Sequence, residues 1–207
     1  MTKISRQTLQ RLPLYLGYLK ELPPDTEHIS ATALAQTMSM GEVQVRKDLA
    51  AVSCRGRPRV GYEPAGLIRD IEAFLGYDNA DSAVVVGAGN MGRALLSYGG
   101  FSAYGLDVVA AFDDNPAQLG MTENGKAIFL IDRLGEICRE KNVKIGILTV
   151  PAAVAQAVCD RMIEAGVKAI WNFAPTHLTV PQGVLVRNEN MAVSLAVLSR
   201  HLADQTR

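Results

Sequence analysis

The sequence predicts an α/β fold in two parts: a small helical domain, followed by a larger domain built on a doubly wound parallel sheet. Up to about Phe74, apolar residues recur at intervals of three and four, which is typical of amphipathic helices. After Asp81, short apolar runs alternate with helical patterns, which indicates βαβ units with right-handed crossovers. The predicted boundary lies around residues 77–81.

The composition is that of a globular protein. Of the 207 residues, 48% are hydrophobic and 20% are charged, an ordinary balance for a soluble domain. We find no apolar run of about 18 residues, as a membrane span requires, and no secretory signal pattern at the start. We therefore expect a cytoplasmic protein with no membrane contact. The odd number and wide spacing of the cysteines argue against a disulfide framework and a CxxC metal site: Cys54, Cys138 and Cys159.

Four helices are predicted in the first part: one along residues 9–22, then 31–38, 42–52 and 64–75. The first either starts near Pro13 or bends there, because proline cannot donate a helical hydrogen bond. Its apolar stripe consists of Leu9, Leu12, Leu16, Leu19 and Leu22. Ser30 is a suitable N-cap for the second helix. Pro64 and Gly76 mark the start and end of the fourth helix.

The second and third helices form a helix-turn-helix pattern. Leu34 and Ala35 are expected to pack inward against Val45 and Leu49, with a tight turn between the helices. The third helix then offers three side chains to a major groove: Gln44, Arg46 and Lys47. The turn-rich loop at 53–62, read as a turn or small hairpin, forms a wing whose arginines reach phosphates or the minor groove: Arg55, Arg57 and Arg59. An ordinary helical hairpin is the alternative.

The charge distribution supports a DNA-binding first part. The chain is neutral, but residues 1–69 carry ten Lys and Arg against six Asp and Glu, whereas residues 70–207 carry eleven against fifteen. Most of the N-terminal excess falls between Arg46 and Arg59, where Asp48 is the only acidic residue. A local basic cluster on a neutral chain favours docking of an anion such as nucleic acid. A solvated surface is the alternative.

The second part contains six predicted strands, at 83–86, 107–112, 127–130, 144–149, 168–172 and 183–187. Helices are predicted near 90–98, 132–141, 152–165 and 190–203. The last helix is apolar on most of its circumference and needs burial on more than one side: Met191, Val193, Leu195, Val197, Leu198 and Leu202. A second subunit would bury it, which predicts a homodimer; packing on its own sheet is the alternative.

A glycine turn joins the first strand to its helix. Gly87, Gly89 and Gly92 have the GxGxxG spacing, in which the glycines allow a tight turn, close approach of a pyrophosphate, and helix–strand packing. Asp113, at the end of the second strand, is placed to bind the adenosine ribose and to repel a 2′-phosphate. We therefore predict NAD(H) as the cofactor, held by the turn residues Gly87, Ala88, Gly89, Asn90, Met91 and Gly92. A turn that binds nothing, or one that binds coenzyme A, remains an alternative.

The sequence favours sensing of the cofactor over catalysis. Hydride-transfer enzymes usually need a His, Lys or Tyr beside the nicotinamide, but Tyr98 has no such partner at a recognisable spacing. His177, in a loop after a strand, reads as a surface residue. The remaining predicted cofactor contacts lie at strand ends or close the first helix: Tyr98, Thr149, Pro151, Asn172 and Phe173. We predict no catalytic or metal-binding residues; an NAD-dependent oxidoreductase with a helical N-terminal domain is the rival reading.

Several motifs together resemble the Rex family of redox-sensing transcriptional repressors. They are "RLPLYLGYL" at 11–19, "QVRKDL" at 44–49, "VGY" at 60–62, "VVGAGNMGRALL" at 85–96, "AAFDDNP" at 110–116, "ILTVPA" at 147–152 and "NFAP" at 172–175. The resemblance implies a winged-helix domain at 1–78, a Rossmann domain at 79–188 and a helix at 189–207 exchanged within a homodimer. It also implies that NADH releases the protein from a palindromic operator, whereas NAD⁺ permits binding.

The chain departs from the family pattern at four places. The wing reads "AAVSCRGRPRVGY" and lacks both phenylalanines of the family's "SxFGxFG" run. Ser39 replaces the usual turn glycine between the two helices. Asn190 stands where the family commonly has an acidic residue able to pair with the arginine matching Arg11. Met191 replaces a bulkier apolar residue.

Overall fold

The computed structural model describes residues 4–79 and 81–205, which form two compact units that divide between Asn79 and Asp81. The first unit contains four helices: α1 (Arg6–Lys20), α2 (Ala31–Thr37), α3 (Glu42–Val52) and α4 (Pro64–Leu75). Its core is formed where these helices meet, by Leu12, Tyr15, Leu16, Leu19, Leu34, Ala35, Val45, Leu49, Leu67 and Ile71, with Ile29 and Tyr62 from the loops.

The sequence left open whether the first helix starts near Pro13 or bends there. In the structure, α1 begins well before Pro13. Ser5 caps the helix, since its side chain accepts a hydrogen bond of 3.1 Å from the Thr8 N–H, and Pro13 lies inside the helix. Proline leaves the carbonyl four residues earlier without its helical donor. That carbonyl belongs to Leu9, whose side chain is 44% exposed, so the position faces water. Leu9 therefore does not belong to the buried stripe in which it was placed.

The turns of the first unit follow the sequence signals. Ser30 caps α2 by accepting a 3.0 Å hydrogen bond from the Ala33 N–H. Ser39 has φ 52°, which is the left-handed region that normally favours glycine. Gly76, also left-handed at φ 76°, ends α4 as predicted. Residues 53–62 contain the expected small hairpin, with an antiparallel bridge between Arg57 and Gly61.

The second unit is a seven-stranded sheet. Its strands are β1 (Asp81–Val86), β2 (Leu106–Asp113), β3 (Gly120–Met121), β4 (Ala127–Leu130), β5 (Ile145–Leu148), β6 (Ala169–Asn172) and β7 (Leu185–Asn188). The strand order is β3-β4-β2-β1-β5-β6-β7, with every pair parallel except β3–β4. Without β3, this is the order of a Rossmann sheet, whose direction of winding switches between β1 and β5. All six predicted strands are present, with ends shifted by up to two residues.

Four helices cross over the sheet or follow it: α5 (Asn90–Ser97), α6 (Leu134–Glu140), α7 (Ala152–Glu164) and α8 (Met191–Gln205). The sequence did not predict the short strand β3 or the 3-10 turns at Gly99–Tyr104, Pro116–Gln118 and Ile131–Arg133. Both sheet faces are buried, because Val84 and Val86 of β1 join one apolar cluster while Ala83 and Val85 join the other. This explains why β1 reads as a continuous apolar run.

Helix α8 does not pack as a helix on its own sheet would. All of its residues from 191 to 205 are exposed, including six large apolar side chains that are 61–67% exposed: Met191, Val193, Leu195, Val197, Leu198 and Leu202. The alternative in which α8 is buried against its own sheet is therefore wrong. Within the described residues, no helix is long and apolar enough to cross a membrane, and no cluster of side chains is suited to a metal ion.

Candidate cofactor cleft and nucleic-acid interface

The three glycines of the turn have different structural roles. Gly87 has φ 101°, and a Cβ there would lie 2.9 Å from the backbone carbonyl of Thr149. A Cβ on Gly92 would lie only 1.8 Å from the carbonyl oxygen of Gly87. A Cβ on Gly89, in contrast, would meet nothing within 4 Å. The fold therefore requires the first and third glycines, whereas the second leaves open space in front of the start of α5.

A cleft of about 610 Å³ opens at this turn, at the carboxyl ends of the parallel strands. Of the predicted cofactor residues, five line it: Gly87, Gly89, Asp113, Thr149 and Pro151. The other lining residues were not predicted: Val86, Phe112, Asp114, Asn115, Gln118, Ile131, Val150, Val154 and Val158. The apolar members of this second group come from strand ends and from α7, which meet only when the sheet and its helices pack.

Asp113 connects the end of β2 to the glycine turn. Its Oδ2 accepts a 2.7 Å hydrogen bond from the Ala88 N–H, and its Oδ1 accepts a 2.9 Å bond from the Asn115 N–H. Its side chain is half-buried at the cleft. The carboxylate is thus fixed where an acid contacts ribose hydroxyls in Rossmann domains, and a carboxylate oxygen still has a lone pair to accept one.

Thr149 supports the same turn from β5. Its hydroxyl oxygen lies 2.7 Å from the carbonyl oxygen of Gly87 and 3.1 Å from that of Val86. Arg93 of α5 supports it from the other side, donating from Nε to the Ala88 carbonyl and from Nη2 to the backbone oxygen of Gln118 at 2.8 Å. The Asn-Pro pair before Gln118 is a turn signal that sequence reasoning overlooked.

Of the remaining predicted cofactor residues, four belong to the glycine turn and the first turn of α5 without lining the cleft: Ala88, Asn90, Met91 and Gly92. The other three lie elsewhere in the second unit. Asn172 is fully buried, and its amide bonds the Ala174 N–H, the Thr176 carbonyl and the Asn188 side chain. It therefore holds the chain turn after β6. Tyr98 lines neither this cleft nor the second one, which lies near the start of α8. It packs edge-on against Phe101, with ring centres 4.9 Å apart.

A second cleft, of about 550 Å³, lies between the end of β6 and the start of α8. Its lining includes Phe173, Pro175, His177, Asn190 and Met191. Asn190 caps α8 through a 3.0 Å hydrogen bond to the Ala192 N–H. The predicted residue Phe173 thus lines the cleft beside the apolar helix, and not the cleft at the glycine turn.

In the first unit, the predicted reading residues lie exposed on α3. Arg46 forms an ion pair with Glu42 one turn earlier, whereas Lys47 forms no ion pair within the described part of the chain. Gln44 donates from Nε2 to Asp48 at 3.0 Å. Val43, which sequence reasoning missed, is 65% exposed; an apolar side chain here is suited to a thymine methyl group.

Asp48 is the common acceptor in a buried hydrogen-bond cluster between α1 and α3. Its carboxylate is 2% exposed and accepts from Thr8 Oγ1 at 3.0 Å, from Tyr15 Oη at 2.8 Å and twice from Arg11, at 2.6 and 3.0 Å. Burial opposes ionisation, but the hydrogen bonds from Arg11, Tyr15, Gln44 and Thr8 outweigh it and lower the pKa of Asp48. Asp48 therefore remains a carboxylate at neutral pH.

The wing arginines are not equivalent. Arg55 is held by Asp70, with Nε 3.0 Å from Oδ2, whereas Arg57 and Arg59 form no ion pair among the residues that the structure describes. Arg59 also has φ 64°, an unusual conformation for a residue with a side chain. A groove between the wing and α2 is lined by three arginines and the α2 start: Ser30, Ala31, Thr32, Arg46, Arg57 and Arg59. This groove presents positive charge.

The two units together define a class of protein. The first carries an exposed helix with basic side chains beside a hairpin loop with three arginines, and the second carries a Rossmann sheet with a cleft at its glycine turn. Such a chain is a transcription regulator with a nucleotide-binding domain. The comparisons agree with this class: residues 3–50 match the family model "Putative DNA-binding protein N-terminus", and residues 78–176 match "CoA binding domain".

The relatives identify the family. The chain is 42% identical to the redox-sensing transcriptional repressor Rex of Bacteroides fragilis, over 97% of this chain and 92% of that protein. It is 43% identical to the Rex of Carboxydothermus hydrogenoformans, over 95% of each chain. A crystal structure of RSP in complex with β-NAD⁺ and operator DNA matches with a TM-score of 0.92 and 32% identity, over 100% of this chain and 95% of that one. RSP in complex with β-NADH matches with a TM-score of 0.87, 32% identity, and 100% and 97% coverage.

The chain therefore belongs to the Rex family of redox-sensing transcriptional repressors. This confirms the predicted family, the predicted two-domain α/β fold and the regulatory function; the exchange of the C-terminal helix in a dimer stays a prediction. The relatives are named as repressors and not as enzymes, which agrees with the prediction that the cofactor is sensed. The family match also makes NAD(H) the cofactor to test first.

Proposed function

We propose that this protein is a cytoplasmic homodimer that binds a palindromic operator in the presence of NAD⁺ and is released by NADH. One observation carries the proposal: among the described residues that line the cofactor cleft, the only ionisable side chains are Asp113 and Asp114. No histidine, lysine or tyrosine lines this cleft, and the two carboxylates lie at the end of β2, where the adenosine ribose would bind, so the lining favours holding a dinucleotide over proton transfer at the nicotinamide. The complexes of RSP with β-NAD⁺ and operator DNA and with β-NADH support this reading.

The geometry fits a dinucleotide. The open space in front of Gly89 admits a pyrophosphate, and the first turn of α5 supplies N–H groups without helical acceptors. Asp113 would bind the adenosine ribose, and its negative charge disfavours the 2′-phosphate of NADP(H). Thr149 and Pro151 would lie toward the nicotinamide, with Phe173 in the neighbouring cleft.

The redox state is then read through charge. Bound NAD⁺ supplies a planar cationic ring, whereas NADH supplies a neutral ring. Apolar residues line much of the cleft, and an apolar surrounding disfavours a cation that lacks a partner. A ligand shifts a conformational equilibrium only by its difference in affinity for the two states. If NADH favours a dimer whose recognition helices no longer match two half-sites about one DNA turn apart, the operator is released.

A DNA-binding titration at fixed ratios of NADH to NAD⁺ tests the proposal. Fluorescence anisotropy of a labelled operator duplex should fall as the NADH fraction rises. Equal binding at all ratios would contradict the proposal. The matched variants are Gly89→Ala and Gly99→Ala, because a Cβ at either position meets no protein atom within 4 Å.

Both variants should fold like the parent, but they should differ in their response to NADH. Gly89→Ala places its methyl group where the pyrophosphate would lie, so calorimetry should show at least a tenfold loss of NADH affinity, and the repressor should no longer respond to NADH. Gly99→Ala, outside the cleft, should behave like the parent. Normal NADH binding by Gly89→Ala would show that the cofactor lies elsewhere.

The DNA interface has its own test. Arg46→Ala and Lys47→Ala should each weaken operator binding and leave NADH affinity unchanged, because both residues lie on α3 in the first unit. If both variants bind the operator as the parent does, α3 is not the recognition helix. Salt titrations should show a shallower dependence for each, as expected when a phosphate contact is lost.

Coenzyme A is the second candidate ligand, because residues 78–176 match a model described as a CoA binding domain. Asp113 argues against it, since coenzyme A carries a phosphate on its adenosine ribose. Calorimetry with NADH, NADPH and coenzyme A should therefore detect binding of NADH and little of the other two.

A further inference from the structure

The hydrogen bond between Gln44 and Asp48 determines which way the glutamine amide points. A carboxylate can only accept hydrogen bonds, and Arg11 keeps Asp48 ionised. Gln44 must therefore direct its amide nitrogen at Asp48. A free glutamine side chain can exchange its oxygen and nitrogen by rotation, but here the two positions are not equivalent.

This orientation leaves a defined edge for recognition. The Nε2 group has two hydrogens, of which one is donated to Asp48. With the hydrogen trans to Oε1 donated to Asp48, the hydrogen cis to Oε1 and the oxygen itself form one edge, which presents one donor and one acceptor. In the major groove, adenine offers a matching N6 donor and N7 acceptor, whereas guanine offers two acceptors.

The position of Gln44 on α3 is appropriate for base contact. It is the third residue of the helix and is exposed, and recognition helices contact base edges with their N-terminal residues. Asp48, one turn further on, is buried and held by three side chains of α1: Thr8, Arg11 and Tyr15. The rigid cluster therefore lies beneath the exposed amide.

We propose that Asp48 is a positioning residue for operator specificity, which fixes the Gln44 amide so that it reads an adenine in each half-site. Asp48 itself does not contact DNA. The inference rests on the proposed function, because it requires that α3 enters the major groove of an operator.

The probe is a palindromic duplex that the full-length protein selects from a randomised pool in the presence of NAD⁺. Each adenine of one half-site is replaced in turn by purine, which lacks the N6 amino group, or by 7-deazaadenine, which lacks N7. At one adenine, each analogue should weaken binding by the parent about 2- to 10-fold, since it removes one of the two hydrogen bonds of the bidentate pair.

Two variants test whether Gln44 and Asp48 are responsible for this weaker binding. The penalty is the loss of binding affinity that either analogue causes at that adenine. Gln44→Ala should lose this penalty for both analogues. Asp48→Asn should lose it as well, because an asparagine can offer its own N–H to Gln44 and release the fixed orientation. The double variant should lose no more than either single variant. Asp25→Asn is the control, since Asp25 is exposed in the loop between α1 and α2, and it should retain the penalty.

The outcomes separate the inference from the proposed function. If Asp48→Asn keeps the penalty that Gln44→Ala loses, Gln44 reads the base without Asp48 and the inference is wrong. If Gln44→Ala keeps the penalty, the base is read by another residue and the inference is also wrong. If the parent selects no duplex at all, the proposed function fails and the inference fails with it.

A measurement on the parent protein covers the case in which Asp48→Asn does not fold. The Gln44 side-chain amide can be assigned by NMR from the signal that disappears in Gln44→Ala. A fixed hydrogen bond predicts two well-separated amide protons, one of them slow to exchange with water. Averaged protons with rapid exchange would overturn the inference.

Discussion

At the scale of single residues, backbone strain distinguishes structural from functional positions. Ser39 lies in the left-handed region, in the turn between α2 and α3. Ser39→Gly should raise the free energy of unfolding by about 0.5–1 kcal/mol, because glycine removes the Cβ strain but gains unfolded-state entropy. Urea denaturation measures this, with Ser39→Ala as the control. A Ser39→Ala variant as stable as Ser39→Gly would argue against strain as the cause.

Arg59 has the same kind of strain, but at the tip of the wing. Strained residues that persist are often functional, and Arg59 has no ion pair within the described residues. Arg59→Gly should leave the free energy of unfolding unchanged or raise it. The variant should bind the operator more weakly, and the slope of log affinity against log salt concentration should become shallower by about 1, as expected for the loss of one phosphate contact. Arg69→Gln, an exposed arginine of α4, is the charge-matched control. A variant with parent-like affinity would remove Arg59 from the interface.

At the scale of elements, the contact of α1 with α3 should depend on pH. Burial, together with the hydrogen bond to Asp48, raises the pKa of Tyr15 from 10.0 to about 12. The unfolded chain therefore loses this proton at lower pH than the folded chain does. The resulting stability is complete below about pH 10 and falls by about 1.4 kcal/mol per unit as the pH rises toward 12.

The comparison of the parent with Tyr15→Phe isolates this contribution. The variant should be less stable at neutral pH, because it loses the hydrogen bond to Asp48. Between pH 10 and 12, however, its free energy of unfolding should decline less steeply than that of the parent. Denaturation curves at several pH values provide the measurement, and parallel declines would show that Tyr15 is not the group responsible.

At the scale of the whole molecule, the exposed surface of α8 requires a partner. Met191, Leu195, Leu198 and Leu202 form one stripe along the helix, and all are more than 60% exposed. We expect this stripe to be buried in a homodimer, since large apolar patches on soluble proteins usually mark interfaces. Leu198→Glu should therefore shift the protein to monomers in light scattering at micromolar concentration.

The control for this dimer is on the other side of the same helix. Arg200→Gln lies two residues further on, about 200° around the helix, and should leave the mass unchanged. The monomeric Leu198→Glu variant should also lose operator affinity, because a single recognition helix contacts one half-site. A parent protein that is itself monomeric at micromolar concentration would refute the exchange of α8.

The sequence predicted the fold more completely than the site. The alternation of strands and helices and the glycine turn follow from local patterns, such as Gly87, Gly89 and Gly92 after an apolar run. The start of α1 was ambiguous because Pro13 indicates a break, whereas capping by Ser5 and the solvent exposure of Leu9 permit a longer helix. Gln118 was missed because it lies in a 3-10 turn, which has no periodic pattern, and because the Asn-Pro turn signal before it was overlooked.

The sequence by itself determined which elements form, where the nucleotide turn lies and where basic residues concentrate, because these depend on neighbours within a few positions. Only the tertiary structure decided which distant groups meet. The Thr149 hydroxyl bonds the carbonyl of Gly87, which lies 62 positions earlier in the sequence. Asp48 accepts hydrogen bonds from α1 side chains that lie 33 to 40 positions earlier. Such contacts depend on packing and hydrogen-bond geometry, which no local pattern specifies.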